Sequence, residues 1–162
     1  GGSNRRYQVH DQDYAHFGQT LADVAAMTSS SLILIPSRRS LDTVMQAMAP
    51  VLSDTKHWWW DGTTPNPYPW ILTTADAIIV TADSVNMTSE AACMGKPVYV
   101  AELKPESGRV ALFHKILQEG NYTESLNLLS FYHFFLHYIL QDTNTHLYLY
   151  ILDYIDLEIK HL

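Results

Sequence analysis

The stretch that most constrains this chain is residues 77–101, where two apolar runs flank a short polar segment. The first run, Ala77–Thr81, is rich in β-branched residues and has the length of a buried strand. Polar residues that can cap a helix follow at positions 83–86, Gly95 ends a short predicted helix, and strand character resumes at Pro97. This order is a βαβ crossover, which predicts parallel strands and a right-handed connection.

The start of the helix in this crossover suits a phosphate group. Its backbone N–H groups lack partners within the helix and lie at the positive end of the helix dipole. Ser84, Thr88 and Ser89 add hydroxyl groups, and the Glu90 carboxylate could accept hydrogen bonds from ribose hydroxyls. Many βαβ units carry such residues only to cap the helix. The pattern therefore leaves both a nucleotide site and a plain helix cap open.

Composition excludes several classes of function. The chain has 162 residues, of which 47% are hydrophobic and 17% charged, enough for one folded domain with a core. Its net charge of −7 argues against broad nucleic-acid binding and against an anionic membrane surface. We see no signal peptide, membrane span or metal-ligand spacing, and we expect no cofactor and no metal. Cys93 is the only cysteine, and we predict that it lies in the core.

The chain divides into two unlike parts. Residues 1–120 alternate helical and strand patterns after a glycine turn, which predicts a nucleotide-binding half-domain with a Rossmann-like parallel sheet and helices on both faces. Such a turn normally follows a strand, so we infer that the first strand is missing; an expression linker at residues 1–3 is the alternative. Residues 121–162 contain no Gly, Pro, Ala, Val or Arg. We expect this Leu/Tyr/His-rich tail to be either helical or non-native.

The patterns within the first part also predict where each element lies. Apolar residues of the first helix fall on one face, which we expect to pack in the core; they are Tyr14, Phe17, Leu21, Val24 and Ala25. Predicted helices cover residues 13–26, 41–52, 67–74, 87–94 and 109–119, and predicted strands cover residues 31–35, 56–60, 77–81 and 97–101.

A polar or glycine-rich turn follows each predicted strand. Ligands of open parallel sheets bind beyond the carboxyl ends of the strands, so we expect these turns to meet at one edge. Arg38 could fork to a phosphate or a base there, and a solvated arginine at a helix start is the equal alternative. We predict that the tryptophan run 58–60 is strand core rather than a stacking surface. The converging turns are residues 1–4, 37–39, 61–62, 83–86 and 102–104.

Several motifs in residues 1–120 also resemble a known family. They are GGSNRRY, PSRRS, WWWDG with NPY, ADAIIVTADSVNMTSEAACMGKPVYV and SGRVALFHKIL. These motifs are similar to the C-terminal half of the mitochondrial-fission family, which comprises the plant elongated-mitochondria protein and bacterial relatives labelled nucleoside-diphosphate-sugar epimerases. That family in turn resembles glycosyltransferases with two Rossmann domains, in which the C-terminal domain holds the nucleotide of a sugar donor.

The resemblance implies a nucleotide-sugar ligand and a set of residues that would hold it. In such transferases an N-terminal domain carries the acceptor site and the catalytic base. We expect that domain to be a missing partner of this chain, which alone should not catalyse transfer and whose catalytic residues are unknown. The implied contacts are Gly2 and Ser3 with the diphosphate, Thr88 and Ser89 with the phosphates at the helix start beside Ser84, Glu90 with the ribose, and Arg38 with phosphate or base.

Three functions stay open at this point. The first is a donor-binding domain of a glycosyltransferase-like protein, which would lie in the cytoplasm. The second is a non-catalytic interaction protein at the mitochondrial surface, because the plant member of the family recruits a dynamin-related partner in organelle fission; an apolar patch on the tail could supply the surface. The third is a nucleoside-diphosphate-sugar epimerase. An NAD-dependent epimerase would need a GxGxxG turn, which this chain lacks, so only a non-NAD epimerase remains.

Overall fold

The computed structural model describes residues 9–36, 41–141 and 148–153. Helices and strands alternate along most of this length, as the sequence predicts. In chain order the elements are α1 (Asp11–Thr28), β1 (Ser31–Pro36), α2 (Leu41–Met48), β2 (His57–Trp59), α3 (Tyr68–Thr74), β3 (Ala77–Thr81), α4 (Val85–Ala92), β4 (Val98–Ala101), α5 (Gly108–Glu119), β5 (Glu124–Ser125), α6 (Leu128–Gln141) and β6 (Tyr148–Asp153).

The strands form one parallel sheet. Its order is β2-β1-β6-β3-β4-β5, and each neighbouring pair runs parallel. Helices cover both faces, so the predicted Rossmann-like α/β class is confirmed. Because all strands run the same way, the turns after β2, β3 and β4 reach the same edge of the sheet.

The centre of the sheet is formed by β6, the last strand among the described residues. β6 pairs with β1 from Ser31↔Tyr148 to Pro36↔Asp153, and with β3 from Ala77↔Leu149 to Val80↔Leu152. A missing first strand would leave β1 and β3 with open edges, and β6 covers both of them. The tail that we expected to be helical or non-native therefore contributes a helix, α6, and two strands of the sheet.

The core lies on both faces of the sheet because successive strand residues point to opposite sides. In β3, Ile79 faces the layer of α1, α2 and α6, whereas Ile78 and Val80 face the layer of α3 and α4. The five residues predicted to form the inner face of α1 are all buried, which confirms that prediction.

Local signals set the helix ends. At the start of α1, the His10 N–H donates to Asp13 Oδ2 at 2.7 Å, and the helix ends at Ser29 in the left-handed region. Asn66 Oδ1 accepts the Tyr68 N–H at 3.0 Å across Pro67, which is the N-cap residue of α3. No helix among the described residues is both long and apolar enough to cross a membrane.

The prediction for Cys93 is wrong, and the prediction for the tryptophan run holds only in part. Cys93 follows the last turn of α4 and is exposed rather than in the core, because the helix ends one residue before it. The tryptophan run is only partly core: Trp60 is buried, Trp59 is half-buried and Trp58 is exposed. β2 is an edge strand, so its alternating side chains do not all find a layer to pack against.

Candidate functional site

The candidate site lies at the carboxyl edge of the sheet, where α4 begins directly after β3. The turn is tight: the Ser84 N–H donates to the Thr81 carbonyl at 3.0 Å, and the Thr88 N–H donates to the Ser84 carbonyl at 3.0 Å. Ser84 is the N-cap residue, is buried, and makes no capping hydrogen bond with its side chain. The backbone N–H groups of the first helical turn, which have no acceptor within a helix, point beyond this edge.

The hydroxyl groups predicted to meet a phosphate donate within the helix itself. Thr88 is fully buried, and its Oγ1 donates to the Ser84 carbonyl at 2.8 Å. Ser89 is half-buried, and its Oγ donates to the Val85 carbonyl at 3.0 Å. The Thr88 and Ser89 hydroxyls therefore already donate within α4, whereas the backbone N–H groups of its first turn have no acceptor in the helix.

Glu90 lies at the exposed side of α4 and has a partner that sequence patterns did not indicate. The Tyr68 phenol, on α3, donates to Glu90 Oε2 at 2.5 Å. Burial first, and then the Glu90 carboxylate, raise the pKa of the Tyr68 phenol well above its ordinary value. The phenol therefore stays protonated and remains a donor across the neutral pH range.

A group of carboxylates occupies the neighbouring part of the same edge. Asp83 follows β3, and Glu102 and Glu106 follow β4. Burial raises the pKa of the Glu106 carboxyl, and the charges of Asp83 and Glu102 raise it further. Lys104 at this edge pairs with Asp13 of α1 at 3.3 Å. This part of the edge therefore carries negative charge and disfavours an anion.

His114 of α5 lies beneath these carboxylates. Its ring is only 6% exposed, and Nε2 lies 2.5 Å from the Ala82 carbonyl oxygen, which makes Nε2 the donor. Nδ1 has no hydrogen-bond partner among the residues that the structure describes. Within those residues, no group of three or more His, Cys, Asp or Glu side chains is placed to hold a metal ion.

Three of the predicted contact residues cannot be placed. Gly2, Ser3 and Arg38 lie outside the described residues. Ser84, Thr88, Ser89 and Glu90 all belong to one helix and its cap, so their proximity follows from the βαβ unit alone. The described structure thus contains those predicted contact residues that belong to α4 and its N-cap.

A wide groove at the opposite edge of the sheet had no sequence signal. It has a volume of about 1060 Å³ and lies near the amino ends of β4 and β5. Its lining includes Cys93, Lys96, Tyr122, Glu124 and His133, which come from four separate elements and connections. The Lys96 ammonium donates to the Thr73 carbonyl at 2.9 Å, so it links the connection before β4 to the end of α3.

The sheet, its crossover helix α4 and its polar carboxyl edge define an α/β domain of the Rossmann-like class. Within that class, the model of the family described as "Mitochondrial fission ELM1" matches residues 1–144. The chain therefore belongs to the mitochondrial fission ELM1 family.

Two curated proteins are similar to the chain. Mitochondrial fission protein ELM1 of Arabidopsis thaliana is 46% identical over 66 residues, which are 41% of this chain and 16% of that protein. Uncharacterized protein RP120 of Rickettsia prowazekii (strain Madrid E) is 31% identical over 107 residues, which are 62% of this chain and 29% of that protein. The chain thus matches less than a third of the length of either relative. No solved structure matches it.

Proposed function

We propose that this chain acts in mitochondrial fission as an interaction protein. The observation that carries this proposal is the family match, which spans residues 1–144 and so includes the whole of α6. The printed name of the Arabidopsis relative assigns fission to that protein. For this chain we infer the same process and a location at mitochondria.

The exposed side of α6 supplies a surface for such an interaction. We define the α6 surface as Leu128, Leu129, Tyr132 and Leu136, whose side chains are between 40% and 74% exposed. At 3.6 residues per turn, these positions fall within an arc of about 100° on the helix. Phe131 lies outside that arc, is fully buried and packs its ring on Tyr99 with centroids 4.6 Å apart.

The α6 surface has the character of a protein-binding face. α6 is fixed to the domain through Phe131 and through its packing on α1. These contacts hold the opposite, exposed side of the helix in a defined position. A contiguous apolar strip on a folded domain is a common mark of an interaction site. The partner we propose is a protein with an apolar groove that receives these side chains, a mode in which a helix presents side chains at i, i+4 and i+8.

The fission role can be tested by exchange in plant cells that lack the Arabidopsis relative. A chimaera of that relative, in which the corresponding family region is replaced by residues 1–144 of this chain, is expressed, and mitochondrial length is measured by fluorescence microscopy. We expect mitochondria to return to the length seen with the intact relative. The proposal is overturned if mitochondria stay long although the chimaera reaches them at normal abundance.

A second candidate function is the binding of a nucleotide-sugar at the start of α4. The observation that favours it is the Glu90 carboxylate, which is exposed beside the carboxyl edge and held by Tyr68. The first-turn N–H groups would receive the diphosphate, with Gly2, Ser3 and Arg38 as further contacts. The neighbouring carboxylates Asp83, Glu102 and Glu106 oppose a diphosphate on their side, so it would have to lie toward α3.

This second function is tested by calorimetric titration of the full chain with UDP, GDP, ADP and their sugar conjugates. Saturable binding of one nucleotide supports the site. A chain that unfolds cooperatively on heating and yet binds none of them rules it out. Transfer of the sugar would also need groups from another domain, so we propose binding and not catalysis for this chain.

A further inference from the structure

A small cavity lies under α5 at the carboxyl edge of the sheet. Its volume is about 160 Å³, and its lining includes Ala82, Glu102, Glu106, His114 and Ser125. Ala82 follows β3, the two glutamates follow β4, and Ser125 belongs to β5. Because these three strands are neighbours and run parallel, their carboxyl ends bring the lining together beside α5.

The buried part of the lining holds an acceptor without a partner. His114 is only 6% exposed, and its Nε2–H donates to the Ala82 carbonyl, so the other ring nitrogen, Nδ1, carries a lone pair. Nδ1 is buried and makes no hydrogen bond to any residue that the structure describes. Buried polar atoms of folded proteins nearly always have a partner, so we expect Nδ1 to accept a hydrogen bond from a ligand.

Two carboxylates form the outer part of the same cavity. Glu102 is exposed and Glu106 is half-buried, whereas His114 is buried, so the three side chains span its depth. Glu102 Oε1 accepts the Glu106 N–H at 2.9 Å, which fixes the turn that carries both residues. Burial, and then the charges of Asp83 and Glu102, raise the pKa of the Glu106 carboxyl. A cation in the cavity would offset these costs of the Glu106 charge.

The other polar side chains of the lining already have partners. The Gln118 amide donates to the Ser125 hydroxyl at 3.1 Å. Lys115 pairs with Glu119 at 3.7 Å, and its side chain is 68% exposed, so its charge lies largely in solvent. The cavity therefore presents carboxylate oxygens and an imidazole nitrogen, which suit a ligand that donates hydrogen bonds and carries positive charge.

We propose that this cavity binds a guanidinium group, with Glu102 and Glu106 next to its charge and His114 Nδ1 accepting one of its N–H groups. A guanidinium has five N–H donors in a rigid plane, so it can reach acceptors at different depths at once. It is also more weakly hydrated than an ammonium group, which favours it in a half-buried site. Among the described side chains, no three His, Cys, Asp or Glu groups are placed to hold a metal ion, so an organic cation fits better. The site is independent of both proposed functions.

The test is a titration of the full chain with methylguanidinium chloride at constant ionic strength, followed by NMR. Methylammonium chloride is the control ligand, because it has the same charge without the planar set of donors. The variants are Glu106→Gln and His114→Phe. The control variant is Glu124→Gln, which removes the same charge from an exposed position at the groove on the opposite edge of the sheet.

We expect methylguanidinium to bind saturably and at least about fivefold more tightly than methylammonium. Glu106→Gln should weaken binding about tenfold, the effect of losing one charge-assisted hydrogen bond, and Glu124→Gln by less than about twofold. His114→Phe should weaken binding about threefold to tenfold. In the wild-type chain, the ¹⁵N resonance of His114 Nδ1 should move on binding, because its lone pair gains a donor. This resonance tests the role of His114 even if His114→Phe fails to fold.

Three results overturn the proposal. They are no saturable binding of methylguanidinium, equal binding of methylammonium, and an equal loss in Glu106→Gln and Glu124→Gln, which would show attraction by net charge alone. A bound ligand that leaves the Nδ1 resonance unmoved would show that the role of His114 is wrong.

A further titration with N-acetylarginine amide separates two sources of the guanidinium group. Binding of this compound as well as methylguanidinium supports a site for an arginine side chain of another protein. Binding of methylguanidinium alone supports a site for a small free guanidine.

Discussion

Replacing Ile151 with proline tests whether β6 is the central strand of the sheet. Ile151 pairs with Leu34 of β1 on one side and with Ile79 of β3 on the other. Every backbone N–H of a central strand faces a neighbouring strand, and proline has no N–H to donate. Both neighbouring residues are buried, so the carbonyl that loses its donor gains no water in exchange.

The size of the effect follows from two costs. A buried carbonyl without a partner costs about 1–3 kcal/mol, and the proline ring that pushes the strands apart adds about 1–3 kcal/mol. A loss of about 2–6 kcal/mol is a large share of the roughly 5–15 kcal/mol that stabilises a typical domain. For a chain of this length, at about 2–4 °C per kcal/mol, it lowers the melting temperature by about 4–24 °C.

The measurement is thermal unfolding followed by circular dichroism, with Ser125→Pro as the matched control. The Leu126 N–H donates to the Val100 carbonyl at 2.8 Å, so alternation turns the Ser125 N–H of the edge strand away from β4. We expect the free energy of unfolding of the control to fall by about 1 kcal/mol or less. The reasoning is refuted if Ile151→Pro melts within about 2 °C of the wild-type chain, or if Ser125→Pro loses as much as Ile151→Pro.

Two further predictions concern packing and pH. A Cβ on Gly18 would lie 2.6 Å from Val51 Cγ2, which is too close for the two groups to fit without a shift. Gly18→Ala should therefore lower the free energy of unfolding, measured in urea, by about 1–2 kcal/mol, although alanine favours a helix. An unchanged or higher urea midpoint would contradict this close packing of α1. Tyr68 and Tyr99 have pKa values raised above the ordinary tyrosine value. Above about pH 10 these tyrosines ionise in the unfolded chain, while the folded chain keeps them protonated. The free energy of unfolding should therefore fall as the pH rises above about 10, by at most about 1.4 kcal/mol per pH unit for each tyrosine. Tyr68→Phe should flatten this decline, and an unchanged slope in that variant would show that Tyr68 is not the group responsible.

Local patterns were sufficient to predict β3, α4 and β4. Their apolar runs have strand length, and polar residues and Gly95 lie at the helix ends, so neighbouring residues carry the whole signal. The inner face of α1 could be predicted for the same reason. The place of β6 could not, because pairing with β1 and β3 joins residues more than 65 positions apart and no local pattern records it.

In the candidate site, too, the sequence was enough to predict one part and not the other. Residues 84–90 come together because they share one helix, and the sequence was enough to group them. The Tyr68–Glu90 hydrogen bond depends on how α3 packs beside α4, which the motifs do not specify. The exposure of Cys93 depends on α4 ending at Ala92 rather than at residue 94, a difference of less than one turn.

The most direct test of the proposed function is mitochondrial length in cells that carry the chimaera with a changed α6 surface. Leu129→Ser removes an apolar side chain from that surface, and Leu112→Ser makes the same change at an exposed leucine of α5. Both leucines are exposed, so we expect both variants to fold and to reach normal abundance. We predict that mitochondria stay long with Leu129→Ser and shorten with Leu112→Ser. Full shortening with Leu129→Ser would contradict an interaction through the α6 surface.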